Sequence, residues 1–518
     1  MCIHMILPGT NRRPGRERPP FLAPAPAPTR EYEHSLGKRI MATPTRDRRD
    51  AVSPILLSPG HLRELDVTSS HPLGLRLRSQ ARGPLHADII NAARRPGGER
   101  YDCVDRDDVG DIKEVARRLA GFTGWPLLAL ITPLVVSPLI ARIAGDGWST
   151  VVTAMSIGSL GMAAITWGWS LTGPPRVAQA SESARWELYR ESIHTRLLLS
   201  VAVLPLAGVL TALLAVPHLR LSAALVAIAF SAVGLLPQWY CIGIGKPTLL
   251  GLFDTLPRVI ATLVALPIML WTRSILAYPV LLLAGIAFSV WLFPRHVFSK
   301  RPTPPRNLRA TWREITSMAP AAGTSLIGVG YSYAPVPIAT ALLAAAASSR
   351  FASADQLFRY SLYAVTALGN ALQGWSLEVE GEAGRRRQIW AAMLGLILGV
   401  VGGIALAVAG PWVTGIMFGQ LVAADSSPSL WYGIAFFFLA VSSPLQRNLL
   451  LPNGRTKMVL VATAIAALVG ISVMFLAGCN GIAAGIAAGM AGSECLILII
   501  TARPALRVLN SRYPAITE

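Results

Sequence analysis

Two short charged motifs stand out in a chain that is otherwise poor in charge. Asp254 is followed four residues later by Arg258, and Asp355 four residues later by Arg359, a spacing that sets each pair on one face of a helix. Both pairs lie inside long apolar stretches, as does Glu494, which is set among Gly and Ala residues. A charged side chain at membrane depth costs roughly 2.5–3.5 kcal/mol unless it faces a bundle interior or a watery cavity, so these five residues are the first candidates for function. For each Asp/Arg pair, a role in substrate binding or coupling and a bridge holding two helices are both compatible with the spacing.

Other chemistry has no anchor. There is no GxSxG, GxxxxGK[ST] or HExxH, and the eight His are scattered. The five cysteines (Cys2, Cys103, Cys241, Cys479 and Cys495) lie far apart with no CxxC pair, so free thiols are expected and no metal or cofactor is implied. An enzyme is not indicated. Without a nucleotide-binding motif, any transport has to draw on an ion gradient, the membrane potential or a substrate gradient.

A flexible element is expected nearby. Pro320, Pro335 and Pro337 interrupt one apolar segment, with Gly323, Gly328 and Gly330 between them and Tyr331 and Tyr333 as polar rims. They are the hinge candidates, with a static packing kink as the alternative. Trp239 and Tyr240 have two readings, as substrate contacts or as interfacial aromatics.

The elements that position these groups follow from composition and periodicity. The chain has 518 residues, 53% hydrophobic and 14% charged, against roughly 25% charged in a soluble domain. Together with 45 Gly and 38 Pro, this is the composition of an all-α polytopic membrane protein. Apolar stretches of about 20 residues, enough to cross a bilayer, recur from Gly121 to Ala502 and read as about twelve spans. The loops between them alternate. One set holds Arg176, Arg185, Arg190, Arg196, Lys246, Arg295, Lys300, Arg301, Arg306, Arg309, Arg313, Arg385 to Arg387, Arg447, Arg455, Lys457, Arg503, Arg507 and Arg512; the other holds only Arg142, Arg220, Arg273 and Arg350. Twenty basic residues against four put both termini in the cytoplasm and favour an even number of spans. The net charge of +19 thereby fits membrane orientation and not nucleic acid.

The expected organisation is a leader over 1–110, a six-helix lobe over 111–294, a cytoplasmic linker over 295–314, a second six-helix lobe over 315–502 and a cytoplasmic tail over 503–518. The leader is rich in Arg and Pro, holds the run Ala23 to Thr29, and lacks an apolar segment followed by a cleavage site, so it reads as disordered and not as a signal peptide. A misassigned start further upstream than the true one is the alternative.

Three stretches carry a resemblance. Pro138, Arg142, Ile143 and Gly145 come first, then Leu236 to Gly243 with Lys246, then Phe351, Ala354, Asp355, Gln356 and Leu357. In this order they resemble the polysaccharide flippases of the multidrug/oligosaccharidyl-lipid/polysaccharide exporter superfamily, the O-antigen and exopolysaccharide repeat-unit transporters. Gln356 departs from that pattern, which often has Lys or Arg there, and the usual proline near Trp375 is missing.

The resemblance implies a two-lobed flippase in the bacterial cytoplasmic (inner) membrane. It would move a polyprenyl-diphosphate-linked oligosaccharide across the bilayer by alternating access, with H+ or Na+ as coupling ion and a polysaccharide polymerase as partner. Arg142, Arg258 and Arg359 would then offer bidentate donors to the diphosphate, and Asp254, Asp355 and Glu494 would be candidate proton or cation sites, with a role only as partners that fix the arginines as the alternative. A multidrug or small-solute exporter with twelve helices is the alternative, and a membrane glycan polymerase or ligase is disfavoured because every outer loop is short.

Overall fold

The computed structural model describes residue 128 and residues 132–298, 307–379 and 381–512. The leader and the part of the linker over 299–306 lie outside the described residues. The protein is an all-α polytopic membrane protein. Among the described residues, nine helical segments are long and apolar enough to cross a membrane.

In the N-terminal half, α1 (132–144) leads through a 3-10 turn into α2 (Trp148–Thr166). α3 (Trp169–Gln179), α4 (Glu182–Leu214), α5 (Arg220–Ala232), α6 (Gln238–Gly243), α7 (Leu256–Thr272) and α8 (Ala277–Val297) follow. The C-terminal half comprises α9 (Leu308–Tyr333), α10 (Pro335–Leu342), α11 (Ala345–Leu377), α12 (Gly381–Phe418), α13 (Ser426–Pro444), α14 (Thr456–Cys479) and α15 (Ala483–Arg512).

The span count differs from the sequence expectation for a physical reason. α1 and α2 run together with α3 in one segment over Thr132–Gln179. Neither α9 nor α11 is among the nine apolar segments, because both carry many hydroxyl, Tyr and charged residues, some exposed, such as Arg309 and Arg313, and some buried, such as Tyr331 and Asp355. The helices also outrun the expected boundaries. α9 begins inside the expected linker, and α15 continues through Arg503 and Arg507 of the expected tail.

Breaks fall where the sequence withdraws backbone donors or permits unusual angles. α2 ends at Trp167 and Gly168, both in the left-handed region with φ of 46° and 78°. A Cβ on Gly168 would lie 3.0 Å from the Ala321 side chain, so a glycine both permits the turn and lets α9 approach. Trp167 Nε1 donates to the Ile315 carbonyl at 2.8 Å and pins that contact. α5 tightens into a 3-10 turn at Val233–Leu235, Leu236 is extended ahead of Pro237, and α6 restarts beyond it. The segment into α7 passes through a π turn at Gly251–Thr255, and α13 runs into another at Leu445–Leu450.

α2 packs on α4 and α5 of its own half and on α9, α10 and α11 of the other, so it is the central post. α12 packs along α13, where a Cβ on Gly403 would meet the Gly433 carbonyl at 2.8 Å. Large apolar side chains such as Val201, Leu213, Trp271 and Val408 point outward, as they must where the surrounding medium is hydrocarbon.

Candidate functional site

One cavity of about 290 Å³ lies between the halves. Asp254 and Arg258 line it together with Gln238 and Tyr278 from the N-terminal half and Tyr333 and Tyr363 from α9 and α11. The π turn sets this geometry. Asp254 lies within it, and the Arg258 Nε donates to the Asp254 backbone carbonyl at 3.0 Å while Nη2 donates to its carboxylate. Arg258 retains 23% of its side-chain exposure, whereas Asp254 retains 5%, so it is the guanidinium that opens toward the cavity.

The second pair is held differently. Arg359 Nε donates to Asp355 Oδ2 at 2.6 Å, and Nη2 donates to Asp355 Oδ1 at 3.3 Å and to the Ser332 carbonyl at 2.9 Å. Its guanidinium carbon sits 4.0 Å above the Tyr333 ring. The Tyr432 hydroxyl donates to Asp355 Oδ1 at 2.7 Å, and Asp355 is 1% exposed. This pair is thus an interhelical network joining α9, α11 and α13. α9 ends at Tyr333, which leaves carbonyls of its last turn without a helical donor, and the guanidinium supplies a donor to one of them, Ser332.

Glu494 is buried on α15 and accepts from the Tyr331 hydroxyl at 3.3 Å. Tyr331, Ser332 and Tyr333 therefore contact Glu494, Arg359 and the cavity respectively, immediately before the break at Pro335. α9 runs unbroken through Pro320.

The remaining sequence candidates lie elsewhere. Arg142 Nη2 donates to the Ile416 carbonyl at 3.0 Å, tying α1 to the C-terminal turn of α12, where a cation also suits the helix dipole. Trp239 is buried against Trp169 with ring centroids 4.9 Å apart. Tyr240 joins an aromatic cluster with Tyr189 and Phe293. Cys241, Cys479 and Cys495 are free thiols.

Sequence reasoning missed two features. Arg196, counted there as a loop charge, is fully buried; its Nη1 donates to the carbonyls of Gly234 and Leu236. Pro237 was the available signal, because it breaks α5 and frees carbonyls that need donors. The other is a set of hydroxyls between the halves. Ser348 Oγ donates to Ser149 Oγ at 2.9 Å, the Ser149 amide donates to Ser349 Oγ at 3.0 Å, and Thr153 and Thr340 share a hydrogen bond of 2.8 Å.

No protein-family model matches the chain, and no curated protein matches it. Among similar solved structures is the lipid II flippase MurJ in an inward closed conformation, 12% identical, covering 75% of this chain and 89% of that one with a TM-score of 0.54. Another is an inward-facing multidrug resistance MATE family transporter of the MOP superfamily, 14% identical, covering 74% and 99% with a TM-score of 0.49. The chain thus has the fold seen in MurJ, and its long apolar helices make it a multi-pass membrane protein.

Proposed function

We propose that the protein is a secondary transporter of the MOP superfamily that flips a polyprenyl-diphosphate-linked oligosaccharide across the bacterial cytoplasmic membrane by alternating access. The observation that carries this reading is Arg258, a partly exposed guanidinium in a cavity between the two halves, held at one end by Asp254. A planar fork in a low-dielectric cavity favours a phosphate oxyanion, and the tyrosines around it offer ring faces and hydroxyls to a glycan. The two six-helix lobes, over 111–294 and 315–502, rock about α2, with the Pro335 break as hinge. Asp254, Asp355 and Glu494 are the carboxylates available to couple the movement to H+ or Na+. A polysaccharide polymerase would receive the product.

The test is complementation of a strain lacking its own repeat-unit flippase, with lipid-linked intermediates on each leaflet identified by mass spectrometry. Restored export of the lipid-linked glycan supports the reading. Accumulation of the intermediate on the cytoplasmic leaflet despite normal protein in the membrane refutes it.

A further inference from the structure

A second cavity, of about 420 Å³, opens at the end of the bundle that carries Lys246, Arg176 of α3 and Arg185 and Arg190 of α4. It shares no lining residue with the cavity between the halves. Its polar wall is Arg185, Lys246, Tyr240 and Glu182, and its apolar wall includes Leu249 and Phe298.

The polar wall has unused hydrogen-bonding capacity. Tyr240 is only 2% exposed, yet its hydroxyl has no hydrogen-bond partner among the described residues while the residue lines the cavity. Arg185 donates its Nε to the Val177 carbonyl at 3.2 Å, leaving its two terminal amino groups for another partner. Lys246 is exposed, and neither it nor Arg185 forms an ion pair with Glu182 among the described residues. Two cations against one carboxylate leave an excess positive charge beside a hydrocarbon wall.

We propose that this cavity binds a phosphate group, carried by an anionic phospholipid of the leaflet facing the basic loops. Arg185 and Lys246 hold the phosphate, the Tyr240 hydroxyl donates to a third oxygen, and the acyl chain runs along Leu249 and Phe298. Basic pockets at the cytoplasmic ends of membrane helices favour acidic headgroups on this electrostatic ground. The aromatic cluster behind Tyr240 makes the site rigid: Tyr240 packs edge-on against Trp239, Tyr189 and Phe293. The site is independent of the transported substrate, because it lies apart from Arg258.

The full chain is purified in detergent micelles and its thermal unfolding followed with added phosphatidylglycerol, phosphatidylcholine or inorganic phosphate at equal phosphate concentration. Phosphatidylglycerol is expected to raise Tm above the phosphatidylcholine value. The Arg185→Gln/Lys246→Gln double variant is expected to lose that difference, and Tyr240→Phe, which keeps the packed ring, to reduce it. If inorganic phosphate reproduces the shift and the double variant abolishes it, the phosphate site stands with a free ion as its source. Equal Tm in both lipids for the unmodified protein, or a difference that survives in the double variant, overturns the proposal.

Discussion

Arg196 and Leu236 are joined by a hydrogen bond of 2.9 Å from the guanidinium Nη1 to the backbone carbonyl, across the gap between α4 and the break in α5. The same nitrogen reaches the Gly234 carbonyl at 3.1 Å, so one buried side chain satisfies two of the acceptors that the break releases. That contact sets where α6 restarts, and with it the positions of Tyr240 and Lys246.

Removing this donor should therefore destabilise the N-terminal half. Each orphaned buried carbonyl costs about 1–3 kcal/mol. Arg196→Ala is expected to lower Tm and membrane abundance, and Arg196→Lys, whose single ammonium cannot reproduce the planar fork, to lower them less. Thermal unfolding in detergent reads this directly. An Arg196→Ala protein that melts like the unmodified one would show that the break holds itself.

The topology expectation follows from the loop charges. Reporter fusions placed after Ala424 and after Cys479 should report the outer side, and a fusion in the 299–306 segment the cytoplasm. An outward reporter in that central segment, with either of the other two reporting inside, would refute the twelve-span arrangement.

Much of this was legible in the sequence because hydrocarbon imposes a strong rule: backbone polar groups must pair within a helix, so long apolar stretches become helices. The i, i+4 spacing of Asp254/Arg258 and Asp355/Arg359 likewise transfers directly to the fold, since the helix brings each pair together. The difference between the pairs was not legible. It depends on Tyr432 and Ser332, which reach Asp355 and Arg359 from other helices, and a single sequence carries no signal of such contacts. Trp239 and Tyr240 do not line the cavity between the halves, because the turn at Pro237 places both in the aromatic cluster.

The unequal pairs predict unequal variants. Arg359→Lys loses the carbonyl bond to Ser332 and the stacking on Tyr333, so it should lower Tm. Arg258→Lys keeps a charge in the cavity but loses the fork, so transport should fall several-fold while Tm stays near the unmodified value. Parallel measurement of unfolding and glycan export separates the two. If Arg258→Lys exports the glycan at the unmodified rate, the charged-cavity mechanism is wrong.

Glu494→Gln preserves size and can still accept the hydrogen bond from Tyr331, so the fold should persist. If Glu494 couples transport to an ion, the variant in proteoliposomes should lose acceleration by an imposed pH or sodium gradient while retaining exchange at equilibrium. Unchanged acceleration under both gradients would leave Glu494 with only its contact to α9.

The hydroxyl contacts between the halves offer the most direct test of alternating access. Ser149 on α2 and Ser348 on α11 approach to 2.9 Å, at the same end of the bundle as the Arg350–Asp425 ion pair and the Arg142–Ile416 contact. The loop-charge expectation would put that end, with its sparsely basic loops, at the outer face. Hydroxyl bonds can be broken and remade at low cost, net about 0.5–1.5 kcal/mol each, which suits a seal that has to open in every cycle. Replacing the five native cysteines by Ser and introducing Ser149→Cys with Ser348→Cys puts two thiols within disulfide reach. Oxidation should stop transport, and reduction should restore it, while each single variant should transport in both conditions. A cross-linked protein that still exports at the unmodified rate would mean these helices stay together throughout the cycle, and the opening between the halves would have to occur elsewhere.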